Sequence, residues 1–184
     1  MTAHPADITG FWRSAGPKRW FAKSAAFDDA IRLKFEPVHH AAARGQYDRW
    51  IETPEGALAL LILLDQFPRN LYRGSAHAFA TDPKARAIAR AAIERGHDRQ
   101  TEPEMRPFFY LPFEHSEDPI DQALSVALCE ALLRETGDPG AANWAKSHAD
   151  IIARFGRFPH RNASLGRETT PEEQAFLDEG GFAG

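Results

Sequence analysis

The chain has 184 residues, a formal charge of −4, 43% hydrophobic and 26% charged residues. That length suits one domain with a proper core, and the apolar and aromatic content excludes a disordered chain. The negative balance argues against a general nucleic-acid binder, whose phosphate contacts need a basic field. One cysteine, Cys129, excludes an internal disulfide and a cysteine-based zinc site.

Taken in chain order, the segments read as helices. A first short helix spans roughly Ala6 to Ala15 and stops at Gly16-Pro17. The second starts after Ser24, places Phe27, Ile31 and Phe35 on one face, and ends near Gly45. Pro37 lies inside it and predicts a kink or a division. The third has Thr53 as N-cap and Pro54 at its first position, with the row Leu58, Ile62, Asp65 and Arg69 at helical spacing.

The fourth starts at Asp82-Pro83 after Thr81 and stops at Gly96. Thr101-Glu102-Pro103-Glu104 reads as a capping box opening the fifth. The sixth begins around Asp118-Pro119 and ends at Gly137; the seventh runs from about Ala141 to Phe155. Thr170-Pro171-Glu172-Glu173 is a capping box for a last helix that ends at Gly180.

No alternating strand pattern and no linker interrupts this series. The expected architecture is an all-α, single-domain array of antiparallel helix pairs over residues 1–184. The start of the chain shows no basic region followed by an apolar run, so no signal peptide is expected. The longest apolar run, Ala57 to Leu64, is too short to span a bilayer. A reducing, cytoplasmic setting follows as the expectation, without a membrane or nucleic-acid partner.

One phrase occurs twice. Gln66-Phe67-Pro68-Arg69-Asn70 returns as Arg157-Phe158-Pro159-His160-Arg161-Asn162. Each copy follows an apolar helical stretch and sets an arginine and an asparagine just past a proline. The repetition suggests one shared site or one shared structural clamp.

The phrases Trp20-Phe21, Thr53-Pro54-Glu55-Gly56-Ala57-Leu58, Leu64-Asp65-Gln66-Phe67-Pro68-Arg69-Asn70 and Ala78-Phe79-Ala80-Thr81-Asp82 carry a resemblance. So do Tyr110-Leu111-Pro112, His115-Ser116-Glu117-Asp118, Arg154-Phe155-Gly156-Arg157-Phe158-Pro159-His160-Arg161-Asn162 and Leu165-Gly166-Arg167. Together they make the chain similar to the bacterial "domain of unknown function 924" family over nearly its whole length. The resemblance implies an all-α fold like that of tetratricopeptide-repeat (TPR) proteins, and no activity. Pro119-Ile120 departs from the Leu-Ala expected there, although proline suits a first helical turn.

The chemistry-bearing residues gather in a few places. Arg154 to Arg167 holds Arg154, Arg157, His160, Arg161 and Arg167 without an acidic residue. Arginine forks fit carboxylate or phosphate, so the segment reads as an anion-binding floor or as half of an internal ion network. Glu114-His115-Ser116-Glu117-Asp118, followed by Asp121, offers the acidic half. There Asp118 suits a helix cap, and His115 stands among carboxylates.

Asp65 and Arg69 stand four apart on a row that points inward, as a buried clamp or a pocket wall. His148 lies on the apolar face of the seventh helix, as a hydrogen-bonded core residue or a pocket acid–base group. No recognised metal-ligand motif, nucleophile elbow or phosphate-cradling glycine loop appears, so no metal and no cofactor are expected.

The candidate site is therefore a concave set of Asp65, Arg69, Asn70, His115, Asp118, His148, Arg157, His160, Arg161 and Asn162. Its expected partner is a small anionic molecule or a carboxylate-bearing peptide end. A metal-independent acid–base enzyme, with hydrolysis as one such chemistry, working through His148 or His115, is the second reading. A protein–protein interaction module with an apolar groove is the third. Oligomeric state is open, since Phe11, Trp12, Trp20 and Phe21 suit a core or a dimer face.

Overall fold

The computed structural model describes residues 3–182. Its α-helices are α1 (Pro5–Ala15), α2 (Pro17–Trp20), α3 (Ala25–Ala43), α4 (Pro54–Leu61), α5 (Phe67–Leu71), α6 (Asp82–Glu94), α7 (Pro107–Glu114), α8 (Pro119–Thr136), α9 (Gly140–Phe155) and α10 (Pro171–Asp178). No strand occurs among the described residues, so the fold class is all-α. No helix among them is long and apolar enough to cross a membrane. The chain forms two compact units, one of Met1–Arg73 with His77–Pro112, the other of Gly74–Ala76 with Phe113–Gly184.

In the first unit, Ser24 caps α3 by accepting from the Phe27 amide, and Thr53 caps α4 by accepting from Gly56. A Cβ at Gly56 would lie 2.1 Å from the Trp50 carbonyl oxygen, so only glycine admits this approach. Of the kink or division expected at Pro37, the division does not occur: α3 runs through it as one helix. Pro37 is exposed, and water can serve the carbonyl that loses its helical donor.

Every residue from Gly56 to Pro68 is buried, as befits a helix apolar all round. Each fully buried leucine or isoleucine there contributes about 2 kcal/mol. α1 and α6 pack on α4, and α3 packs on α5. Trp12 joins the layers, its ring 5.7 Å from both Phe67 and Phe108 and 6.3 Å from Trp20. Trp12 and Trp20 are buried, whereas Phe21 is 67% exposed.

The expected helix start at Thr101 is corrected. The Thr101 hydroxyl donates to the His97 carbonyl at 2.9 Å, and no regular helix follows it directly. Single turns lead from there to Pro107, where α7 begins.

In the second unit, α8 and α9 pack as a helical hairpin across residues 137–139. Asp118 caps α8, and the Thr170–Glu173 capping box opens α10 as read from the sequence. Gly156 ends α9 in the left-handed conformation, φ 70°, which glycine adopts without strain. Ile151, Ile152 and Phe158 form the core, with Phe155, Phe176 and Phe182 packed against it. Cys129 is buried in α8, and burial together with the charge of Glu114 pushes its thiol up to about 12.

Candidate functional site

The first copy of the repeated phrase lies in the first unit. Between α4 and α5 the chain makes a π-helical turn, Ile62–Gln66, in which the Phe67 amide reaches back to the Ile62 carbonyl. Pro68 has no N–H to offer Leu64 four residues earlier; the Thr81 hydroxyl donates to that carbonyl at 2.5 Å. Such turns often stand at functional positions, and this one carries Asp65, which is 1% exposed.

Arg69 reaches back to the Asp65 backbone carbonyl, and its Nη1 lies 3.4 Å from Asp65 Oδ1. It also forks onto Asp82, with contacts of 3.1 and 3.2 Å. Gln66 Nε2 donates to Asp65 Oδ2 at 2.5 Å. Burial alone would lower the Arg69 pKa; the Asp65 and Asp82 carboxylates outweigh it and raise it. Asn70 turns the other way and donates to Asp28 Oδ1 at 2.7 Å. Arg73 forks onto the same Asp28 carboxylate at 2.6 and 3.0 Å.

The second copy lies in the second unit and repeats that device. Asn162, fully buried, donates to Glu173 Oε2 at 3.1 Å, and Arg157 forks onto Glu173 at 2.6 and 2.8 Å. Arg157 first, helped by the Thr170 amide and hydroxyl, holds the Glu173 carboxyl down at about 2 despite burial. Arg167 donates to Asn162 Oδ1 at 2.9 Å and forks onto Glu117 at 2.7 and 3.0 Å. Glu117 also accepts from the Phe158 amide at 2.8 Å. The basic segment thus finds acidic partners in Glu117, Glu172 and Glu173.

His148 lies in the same unit. Its Nδ1 is 2.9 Å from the Trp144 carbonyl oxygen and 3.1 Å from Glu114 Oε1, and both side chains are nearly sealed. The His115 ring is 6.3 Å from the His148 ring. Phe158 separates two more groups: its ring is 5.6 Å from both His148 and His160, and the Arg161 guanidinium lies 4.7 Å from its centroid. Phe182 stands edge-on to His148 at 4.5 Å and to His160 at 5.0 Å. Two imidazoles and one guanidinium are therefore arrayed about Phe158, and the third imidazole, His115, adjoins His148. Asp118 serves α8 instead, accepting from the Ile120 amide at 2.8 Å.

The sequence-read set divides by unit: Asp65, Arg69 and Asn70 in the first, the other seven in the second. The carboxylates Asp28, Asp82 and Glu173 and the cations Arg73 and Arg167 were missing from it. Asp82 and Glu173 read locally as helix-start residues, which hides their second role. Among the described residues, no group of three or more histidine, cysteine, aspartate or glutamate side chains is arranged to hold a metal ion.

This arrangement sits on a chain whose residues 8–181 match the family described as bacterial protein of unknown function, DUF924. The chain belongs to the DUF924 family. It is 51% identical to a protein of unknown function, ATU0120 from Agrobacterium tumefaciens, whose solved structure superposes with a TM-score of 0.90. The match covers 95% of this chain and 97% of that one. Comparison with curated proteins yields no match. DUF924 membership fixes the all-helical fold and leaves the chemistry to be argued from the side chains.

Proposed function

We propose that this DUF924 protein binds a small anionic molecule, a phosphate- or carboxylate-bearing compound or peptide end, at the His115, His148, His160 and Arg161 cluster. One observation carries the reading: His148, His160 and Arg161 surround Phe158 within one unit, and His115 lies against His148. Guanidinium and protonated imidazole supply charge-assisted donors, and the phenyl rings keep water away from them. Arg69, Asn70, Arg157 and Asn162 hold carboxylates within their own units, and Asp118 caps α8. Asp65 engages Arg69 and Gln66. We assign those six to the scaffold and place the ligand at the other four, which lie together in one unit around Phe158 and His148.

The test is thermal stabilisation by phosphate, citrate and short peptides. His160→Gln and His115→Gln serve as the main controls, since both side chains are only partly buried. A saturable rise in Tm that either substitution weakens supports the proposal. A panel without a hit, or hits indifferent to both substitutions, overturns it.

The Glu114–His148 contact favours a second reading, acid–base catalysis. A carboxylate on Nδ1 orients the ring and leaves Nε2 as the nitrogen that would exchange a proton with a substrate. A histidine NMR titration in which His148 exchanges its proton only on unfolding would remove it.

We also infer a TPR-like stacking of helix pairs. The α8–α9 hairpin supports it, as does the recurrence of one Asn–carboxylate–Arg clamp in both units.

A further inference from the structure

A hollow lies in the first unit, on residues that the histidine cluster does not include. It has a volume of about 310 Å³ and is walled by the end of α1, by α2 and by the start of α3. That is the lower end of the range for small-molecule pockets, roughly 300–1,000 Å³. Its floor is aromatic. Phe11 and Phe27 lie stacked, with centroids 5.6 Å apart and planes 4° from parallel. Phe11 is braced from behind by Phe35 at 5.1 Å, so the floor is preformed. Ala15, Ala26 and Ala30 keep the walls low.

The polar groups of the lining sort themselves. The Ser14 hydroxyl donates to the Phe11 carbonyl at 2.8 Å, and the Ser24 hydroxyl caps the Phe27 amide at 3.4 Å. Arg19 is the one charged residue of the lining. In this unit Arg13, Arg32, Arg69 and Arg73 all bind carboxylates or carbonyls. Arg19 makes no side-chain hydrogen bond or ion pair among the described residues. Outside the lining, the Lys34 ammonium stands 5.2 Å from the Phe11 centroid.

An aromatic lining with one guanidinium fits a ligand that is aromatic at one end and anionic at the other. We propose that this hollow binds a small aromatic carboxylate, its ring on Phe11 and Phe27 and its acid group on Arg19. The guanidinium fork matches the two carboxylate oxygens, and the ring replaces water over the phenyl faces.

Calorimetric titration with phenylacetate tests this, with phenylacetamide and acetate as arms lacking the charge or the ring. Arg19→Ala removes a side chain that the fold does not use. Ala30→Phe fills the hollow, and His160→Gln disables the separate histidine cluster. The expected result is saturable phenylacetate binding, weakened about tenfold or more by Arg19→Ala and by Ala30→Phe. His160→Gln leaves it unchanged, and the amide and acetate bind at least about tenfold more weakly. Absence of saturable binding overturns the proposal. So does equal binding of the amide, or binding that ignores both Arg19→Ala and Ala30→Phe. Loss of binding in His160→Gln alone would move the ligand to the other site and equally overturn it.

Discussion

Asn162 donates its side-chain amide to Glu173, 3.1 Å away in the core of the second unit. Asn70 does the same to Asp28 in the first unit, at 2.7 Å. In each case an arginine also forks onto the same carboxylate. The repeated asparagine is thus the neutral partner that completes a carboxylate already held by a guanidinium.

Removing that partner leaves a buried acceptor under-satisfied. Asn162→Ala and Asn70→Ala are each expected to cost about 1–3 kcal/mol. Asn162→Asp should cost more than Asn162→Ala, because it sets a second carboxylate against Glu173. Urea unfolding midpoints check this, and a midpoint for Asn162→Asp at or above that of Asn162→Ala would contradict it.

The same clamp shapes the acid limb of stability. Glu173 is held down at about 2, below its ordinary value near 4.3. A depressed carboxylate stabilises fully above its unfolded pKa, and that contribution fades as pH falls from about 4.3 towards 2. Glu117 shifts the same way: burial opposes it, and Arg167 with the Phe158 amide prevails. Glu173→Gln should therefore be less stable than the parent at pH 7, with the gap narrowing as pH falls through this window. Tm measured at steps from pH 6 to about 2 reads it out; a gap that does not change with pH refutes it.

Pro37 gives a prediction of opposite sign. It sits exposed inside α3 and cannot donate to the carbonyl of Leu33. Pro37→Ala restores the bond without disturbing packing and is expected to add on the order of 1–3 kcal/mol. The urea midpoint should rise at an unchanged m-value. An unchanged or lower midpoint would show that the proline serves the fold.

Cys129, 2% exposed with its thiol pushed up to about 12, should resist thiol reagents in the native protein. Labelling at pH 8 is expected to follow the unfolding rate and to become immediate in denaturant. Prompt labelling of folded protein would contradict the burial described for α8.

Local signals in the sequence identified most of the helices. Ser24 with Phe27, Ile31 and Phe35 marked α3, and the Thr170–Glu173 box marked α10. Thr101 carries the same signature as Thr170 and fails: isolated turns follow it, and α7 begins only at Pro107. A capping box read along the chain marks a local preference, and whether a helix follows is set by packing beyond it. The candidate residues were legible for a similar reason and their partners were not. Asn70 is 42 residues from Asp28, and Arg69 is 13 from Asp82, distances set by packing that no helical spacing encodes.

The π-helical turn at Ile62–Gln66 carries a consequence for how this stretch tolerates length changes. Each residue of an α-helix advances the direction of its side chain by roughly 100°. Excising one residue between Ile62 and Asp65 would let the segment close into regular α-helix, satisfying its own backbone more simply. It would also swing everything downstream by that angle, taking the Arg69 fork off Asp82 and aiming Asn70 away from Asp28. The irregular turn is therefore a phase-setter: it lets an apolar rod and a polar clamp share one continuous helix while facing different neighbours.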